Sequence, residues 1–175
     1  MIEKNPDIPE YPYLLSECLL WQNRITEAVE ILENNEKQEM IVLAGVNNNG
    51  YGFAELLSES LNTISKKKIV LIRIRINPAN PVGTPIDIDP YLPDLKDKTI
   101  VIVDDVANTG RTIFYAFKVF MDNLLEKIEV AVLVDRKHKL FPVKVDYVGL
   151  SLATTVHENI KAKLQDSENM TVELS

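Results

Sequence analysis

Two adjacent carboxylates, Asp104 and Asp105, close the apolar run Val101-Ile102-Val103. After Val106 comes a loop of mostly small residues, Ala107-Asn108-Thr109-Gly110-Arg111-Thr112, and an amphipathic stretch begins at Ile113. This order predicts a strand, a tight turn and a helix start. Such a turn aims several backbone N–H groups into one concavity, and the helix dipole adds partial positive charge there. A phosphate fits that concavity. Thr109 and Thr112 bring hydroxyl donors, and Gly110 lets the backbone come close. The two carboxylates lie just upstream, where they can accept hydrogen bonds from the vicinal hydroxyls of a sugar. A phosphate cradle beside a diol acceptor suits a pentose phosphate. No G-x-x-x-x-G-K-[ST] loop is present, and no G-x-G-x-x-G follows a strand. A P-loop and a dinucleotide fold are therefore not expected.

These residues need a sheet to position them. Residues 1–13 hold three prolines and read as an irregular arm. Ser16 is placed to cap a helix over 17–34, with Cys18, Trp21, Ile25, Ala28 and Leu32 on one apolar stripe. Met40–Val46 reads as a continuous apolar strand, Asn47-Asn48-Asn49-Gly50 as a turn, and Gly52–Thr63 as a helix burying Phe53, Leu57 and Leu61. Lys66-Lys67-Lys68 reads as a basic connector. Ile69–Ile76 reads as a strand whose far end alternates Arg73-Ile74-Arg75-Ile76. Asn77–Pro93 carries five prolines and one glycine and is expected to be a long loop, which in a small domain is usually functional. Thr99–Val103 is a predicted strand. Thr112–Leu125 is a predicted helix with Ile113, Phe117, Phe120, Met121 and Leu124 inward. Ile128–Val134 and an alternating Val143–Gly149 complete the predicted sheet. In the tail, Ile160, Ala162, Leu164 and Met170, Val172, Leu174 alternate about Asp166–Asn169, which predicts an antiparallel hairpin. The strand–helix alternation gives an α/β class: a doubly wound, mainly parallel sheet in one domain, residues 1–175.

The chain has 175 residues, 46% of them hydrophobic, enough for one core. Net charge is −7, which argues against a general nucleic-acid surface. Lys137, His138, Lys139, Lys144, Lys161 and Lys163 gather in the C-terminal part, and solvated lysines on strand edges account for them. Cys18 is the one cysteine, so no internal disulfide forms. The polar N-terminus has no signal-peptide core and no run spans a membrane; the expected location is the cytoplasm.

The segment from Val101 to Thr112 resembles the type I phosphoribosyltransferase signature, apolar-Asp-Asp-x-x-x-Thr-Gly-x-Thr. Ala131-Val132-Leu133-Val134-Asp135-Arg136-Lys137-His138-Lys139-Leu140-Phe141-Pro142 and Asp146-Tyr147-Val148-Gly149 are similar to segments of the bifunctional pyrimidine-operon regulator and uracil phosphoribosyltransferase group. The resemblance implies 5-phosphoribosyl 1-diphosphate (PRPP) as donor, Mg²⁺ as cofactor and a homodimer. It places the ribose hydroxyls on Asp104 and Asp105, which could also reach Mg²⁺ through water. It places the 5′-phosphate on Ala107, Asn108, Thr109, Gly110, Arg111 and Thr112, the pyrophosphate on Asn47, Asn48, Asn49 and Gly50, and the base on Tyr147 and Val148. Arg136 would face the pyrophosphate or the base, or else form a surface ion pair with Asp135 or a nearby acid. The implied reaction displaces pyrophosphate from ribose C1 by a ring nitrogen of a pyrimidine-like base, uracil being favoured. The alternative is a non-catalytic sensor of PRPP or a nucleotide that reports through a partner or RNA, the RNA role being disfavoured by the net charge.

Three departures from the family pattern bear on that choice. The family's pyrophosphate turn usually carries basic residues, and here it is Asn-Asn-Asn-Gly. Losing a charge-assisted hydrogen bond there costs about 1–3 kcal/mol, a tenfold to hundredfold effect on rate. The loop that would close over the site, Asn77–Pro85, has no charge and several prolines. Arg73 and Arg75, on the strand before it, are placed to compensate or to face solvent. Asn108 stands where hypoxanthine-guanine enzymes have an aspartate, so a 6-oxopurine substrate is disfavoured.

Overall fold

A computed structural model describes residues 25–92, 94–152, 160–163 and 171–174. The arm, Ser16, Cys18 and Trp21 lie outside these residues. A helix over 25–34 (α1) leads into β1, Met40–Val46, whose last six residues are all buried. Burial on both faces is what a continuous apolar run dictates for a central parallel strand. The chain continues through α2 (Asn47–Ile64), β2 (Lys68–Arg75), β3 (Asp87–Asp89) and β4 (Thr99–Ala107). A short α3 (Arg111–Ala116), a 3₁₀ turn (Phe117–Phe120), β5 (Lys127–Arg136) and β6 (Tyr147–Leu152) follow.

The six strands form one sheet in the order β3-β2-β1-β4-β5-β6, parallel throughout except for β3, which runs antiparallel to β2. Helices cover both faces. On one, Ala28 and Ile31 of α1 and Phe53, Leu57 and Leu61 of α2 pack on Leu43, Val101, Val103, Leu133 and Tyr147. On the other, Ile113, Ala116 and Phe120 pack on Ile100, Ile102, Val130 and Val132. The doubly wound architecture is the expected one, and the tail forms the expected hairpin, β7 (Ile160–Lys163) antiparallel to β8 (Thr171–Leu174).

Several expectations need correction. Asn47–Gly50 is not a free turn but the first turn of α2. The Asn77–Pro93 loop contains β3, whose short ladder with Arg73–Arg75 caps the sheet edge. β4 runs past Val103 to Ala107, so both aspartates are strand residues. The predicted Thr112–Leu125 helix stops at Ala116 and tightens into the 3₁₀ turn, which leaves Met121 and Leu124 exposed. The backbone of Leu124 is used instead, its carbonyl accepting from Asp97 N–H at 2.8 Å. Ile25 is also exposed, and α1 presents Glu27, Ala28 and Ile31 inward. Regular strand begins at Tyr147 rather than Val143, although Val143 is buried.

Candidate phosphate and ribose site

β1 continues to β2 on one side of the sheet while β4 lies on its other side. The carboxyl ends of β1 and β4 therefore feed elements that diverge, and ligands of doubly wound sheets bind in such a crevice. Three residues of the Asn-Asn-Asn-Gly segment shape it. Asn47 takes a positive φ of 52°, and its Oδ1 accepts from Ile76 N–H at 3.0 Å, tying β1 to the chain after β2. Asn49 Nδ2 donates to Asp105 Oδ2 at 3.0 Å, across the crevice. A Cβ on Gly50 would fall 2.5 Å from the Val103 carbonyl oxygen and 3.1 Å from Asp104 Cα. Only glycine lets α2 start this close to β4. No side chain caps α2 and no acid lies in its first turn, so its leading N–H groups can receive an anion.

On β4, Asp104 is 8% exposed and Asp105 is half-buried. Asp104 Oδ1 accepts from the Asp105 N–H at 3.0 Å. Burial, and then the neighbouring charge of Asp105, push the Asp104 carboxyl well above the usual carboxylate range. One acid of the pair is thus held toward its neutral form, and a ligand that needs both ionised must supply compensating charge.

Beyond β4, Asp104 and residues 106–113 line a cavity of about 60 Å³. Sites that enclose whole drug-sized ligands run to about 300–1,000 Å³, so this one has the size of a single oxyanion rather than of a nucleotide. Gly110, at φ 80°, turns the chain into α3, and Arg111 N–H donates to Thr109 Oγ1 at 3.3 Å. The loop is braced from behind. Leu140 N–H and Phe141 N–H both donate to the Thr109 carbonyl, at 3.0 and 3.1 Å. Lys139 Nζ pairs with Asp135 and donates to the carbonyls of Ala107 at 3.1 Å and Arg136 at 2.8 Å. Arg136 Nη1 donates to Asn108 Oδ1 at 3.0 Å. Asp135 is therefore a partner of Lys139, and Arg136 touches the loop through Asn108.

The structure thus brings together Asp104, Asp105, Asn49, Gly50, Ala107–Thr112 and Arg136. It does not bring Tyr147 to an open pocket. Tyr147 is fully buried in the core beneath α1, and burial raises its hydroxyl above its ordinary pKa. Tyr147 pairs with Ala131, and Ala131 with Val103, one step below the acids. Half-buried Val148 is level with Asp104, two strands away. Arg75 is paired with Asp89, and the Arg73 guanidinium lies 4.2 Å from the ring centroid of Tyr51. Sequence reading missed Lys139 and the Asn49–Asp105 bond. Asp135 lies at the end of a strand and Lys139 in the loop beyond it, so their spacing gave no signal, and the second contact joins residues 56 apart.

An oxyanion cavity beside two carboxylates, at the switch point of this sheet, defines a type I phosphoribosyltransferase fold. Residues 20–167 match the model of the phosphoribosyl transferase domain, and the chain belongs to that family. Among curated relatives, a bifunctional protein PyrR from Clostridium perfringens is 38% identical, covering 87% of this chain and 92% of its own length. A bifunctional protein PyrR from Deinococcus radiodurans is 35% identical, covering 81% of each. Among solved structures, a hypoxanthine-guanine phosphoribosyltransferase from Bacillus anthracis superposes with a TM-score of 0.68 at 18% identity, over 82% of this chain and 81% of that one. A hypoxanthine phosphoribosyltransferase from Trypanosoma cruzi gives 0.66 at 16%, over 79% and 76%. These likenesses carry the fold. Among the described residues, no helix is long and apolar enough to cross a membrane.

Proposed function

We propose that this chain transfers the phosphoribosyl group of PRPP to a pyrimidine base, uracil in the first instance, with release of pyrophosphate. The observation that carries the reading is the acidic pair at the strand crossover, next to a cavity the size of one phosphate. In this reading a ring nitrogen bonds to ribose C1 as the C1–O bond to pyrophosphate breaks; the electron pair leaves with pyrophosphate and the ring N–H proton passes to solvent. Positive charge develops on the sugar, as in glycoside cleavage. Asp104 and Asp105 orient the 2- and 3-hydroxyls and offset that charge. The loop from Ala107 to Thr112 anchors the 5′-phosphate, so that C1 is held against the α2 N-terminus.

The donor set suits Mg²⁺. Among the described residues, no group of three or more His, Cys, Asp or Glu could hold a metal alone. Two adjacent carboxylates plus substrate phosphates are a common way to bind this ion. Bound so, Mg²⁺ would neutralise charge on the departing pyrophosphate. The reading also takes the protein as a cytoplasmic homodimer, which sedimentation of the purified chain tests.

A second reading, a sensor of PRPP or nucleotide without turnover, is favoured by one observation. No cation lies in Asn47–Gly50, and Arg73 and Arg75 are engaged with Tyr51 and Asp89. RNA binding gains little, because Lys139 and Lys144 are paired with Asp135 and Asp146. The experiment is pyrophosphate release from PRPP and Mg²⁺ with a panel of bases. Turnover with uracil supports the transferase. Nucleotide binding without turnover supports the sensor, and the absence of both binding and turnover refutes both readings.

A further inference from the structure

The two ends of α1 are held differently. At its C-terminal end, Asn35 Nδ2 donates to Glu129 Oε2 at 2.8 Å, and Lys127 Nζ donates to the Asn34 carbonyl at 2.8 Å. Lys127 and Glu129 also pair with each other. Toward the other end, the inner face is Glu27, Ala28 and Ile31. Glu27 is buried, and neither of its carboxyl oxygens has a partner among the described residues. Its Oε1 and the Leu133 carbonyl oxygen border one spot, the place a Cβ on Gly149 would take, at 2.7 and 2.8 Å. A neutral carboxyl can turn its O–H toward that carbonyl, whereas a carboxylate meets it lone pair against lone pair. The charge that acts on Glu27 is that of Glu30, exposed on the same helix. β5 and β6 meet α1 with Leu133, Tyr147 and Gly149, and α2 adds Phe53, Leu57 and Leu61 to the same core. The Lys127–Glu129 pair lies at the tied end.

We propose that α1 is a latch worked by the proton on Glu27. With the proton bound, the helix lies on the β5–β6 face. Without it, Glu27 moves into water and α1 turns outward about the Asn34–Asn35 tether. Val148 is level with Asp104 through Val132, so Gly149, the next residue, is level with Asp105. The latch therefore closes on the sheet at the height of the acidic pair, two strands away.

Burial, with a smaller push from Glu30, raises the Glu27 pKa from 4.5 to about 8. The docked helix carries the neutral acid and the released helix the carboxylate. Release is therefore favoured about tenfold more for each pH unit between those values, and no further above them. A helix as short as 25–34 is marginal alone in water, so its amides exchange once it is released.

The test is amide hydrogen exchange of the full chain from pH 5 to 9, read by mass spectrometry of peptides. Rates are expressed as protection factors, which remove the intrinsic pH dependence of exchange. In wild type, α1 should be less protected than β1, and its protection should fall about tenfold per pH unit before levelling off near pH 8. In Glu27→Gln and in Glu27→Leu the protection of α1 should not change with pH. Flat protection of α1 in wild type overturns the inference, and so does the same fall in both variants. Equal protection of α1 and β1 at every pH means that the helix opens only with the whole molecule, and overturns it too.

Discussion

Glu27 gives the most quantitative prediction. It lies on α1, is 2% exposed, and neither carboxyl oxygen has a hydrogen-bond partner. It faces bare backbone on β6: a Cβ on Gly149 would fall 2.7 Å from Glu27 Oε1. Burial, with a smaller push from Glu30, raises its pKa from 4.5 to about 8. Between those values the unfolded chain carries the carboxylate while the folded chain carries the neutral acid. The folded state then binds more protons, so stability falls as pH rises through this window and levels off above about 8. At about 1.36 kcal/mol per pKa unit, the shift corresponds to at most about 5 kcal/mol. Glu27→Gln keeps the shape and removes the ionisation. Urea unfolding of both proteins from pH 4.5 to 9 should show similar stability at the acid end and a variant several kcal/mol more stable at the alkaline end. Taking the difference between the two proteins cancels the titration of every other group. Parallel curves, or a variant weaker at every pH, would refute the argument.

Gly50→Ala places a methyl against the Val103 carbonyl, so α2 must retreat from β4. Overpacking of this kind costs about 1–3 kcal/mol, and the Asn49–Asp105 bond should be lost with it. Thermal unfolding reads the first effect and ribose 5-phosphate affinity the second. Lys139→Met leaves Asp135 and two carbonyls without their shared donor. A loss of about 2–3 kcal/mol is expected, with weaker inorganic phosphate binding by calorimetry. Because Asp104 is held toward its neutral form, a ligand that needs the ionised pair should bind more tightly as pH rises through that titration. Asp104→Asn should flatten the pH dependence of ribose 5-phosphate affinity, and an unchanged slope would contradict it.

The parts of the fold read from local pattern came through well. β1 matched residue for residue, because seven apolar residues end at an Asn-rich segment that no strand could absorb. The acidic pair and the Thr-Gly-Arg-Thr loop were legible because their chemistry sits in one contiguous stretch. What failed was decided by tertiary contacts. Asn47–Gly50 has turn-forming residues, yet the positive φ of Asn47 and the close approach at Gly50 let α2 begin there. Met121 and Leu124 fit a 3.6-residue period, but the 3₁₀ turn changes the period before they are reached. The family resemblance put Tyr147 at the base site, whereas the side chain itself packs in the core under α1.

The central claim is that the loop from Thr109 to Thr112 and the carboxylates of Asp104 and Asp105 form one pentose-phosphate site. Amide-resolved NMR during titration with ribose 5-phosphate addresses it most directly. The predicted result is saturable shifts at Thr109, Gly110, Arg111 and Thr112 together with Asp105, and loss of the Asp105 response when ribose 5-phosphate is replaced by inorganic phosphate. Shifts confined to surface lysines, or none at the loop, would contradict the account.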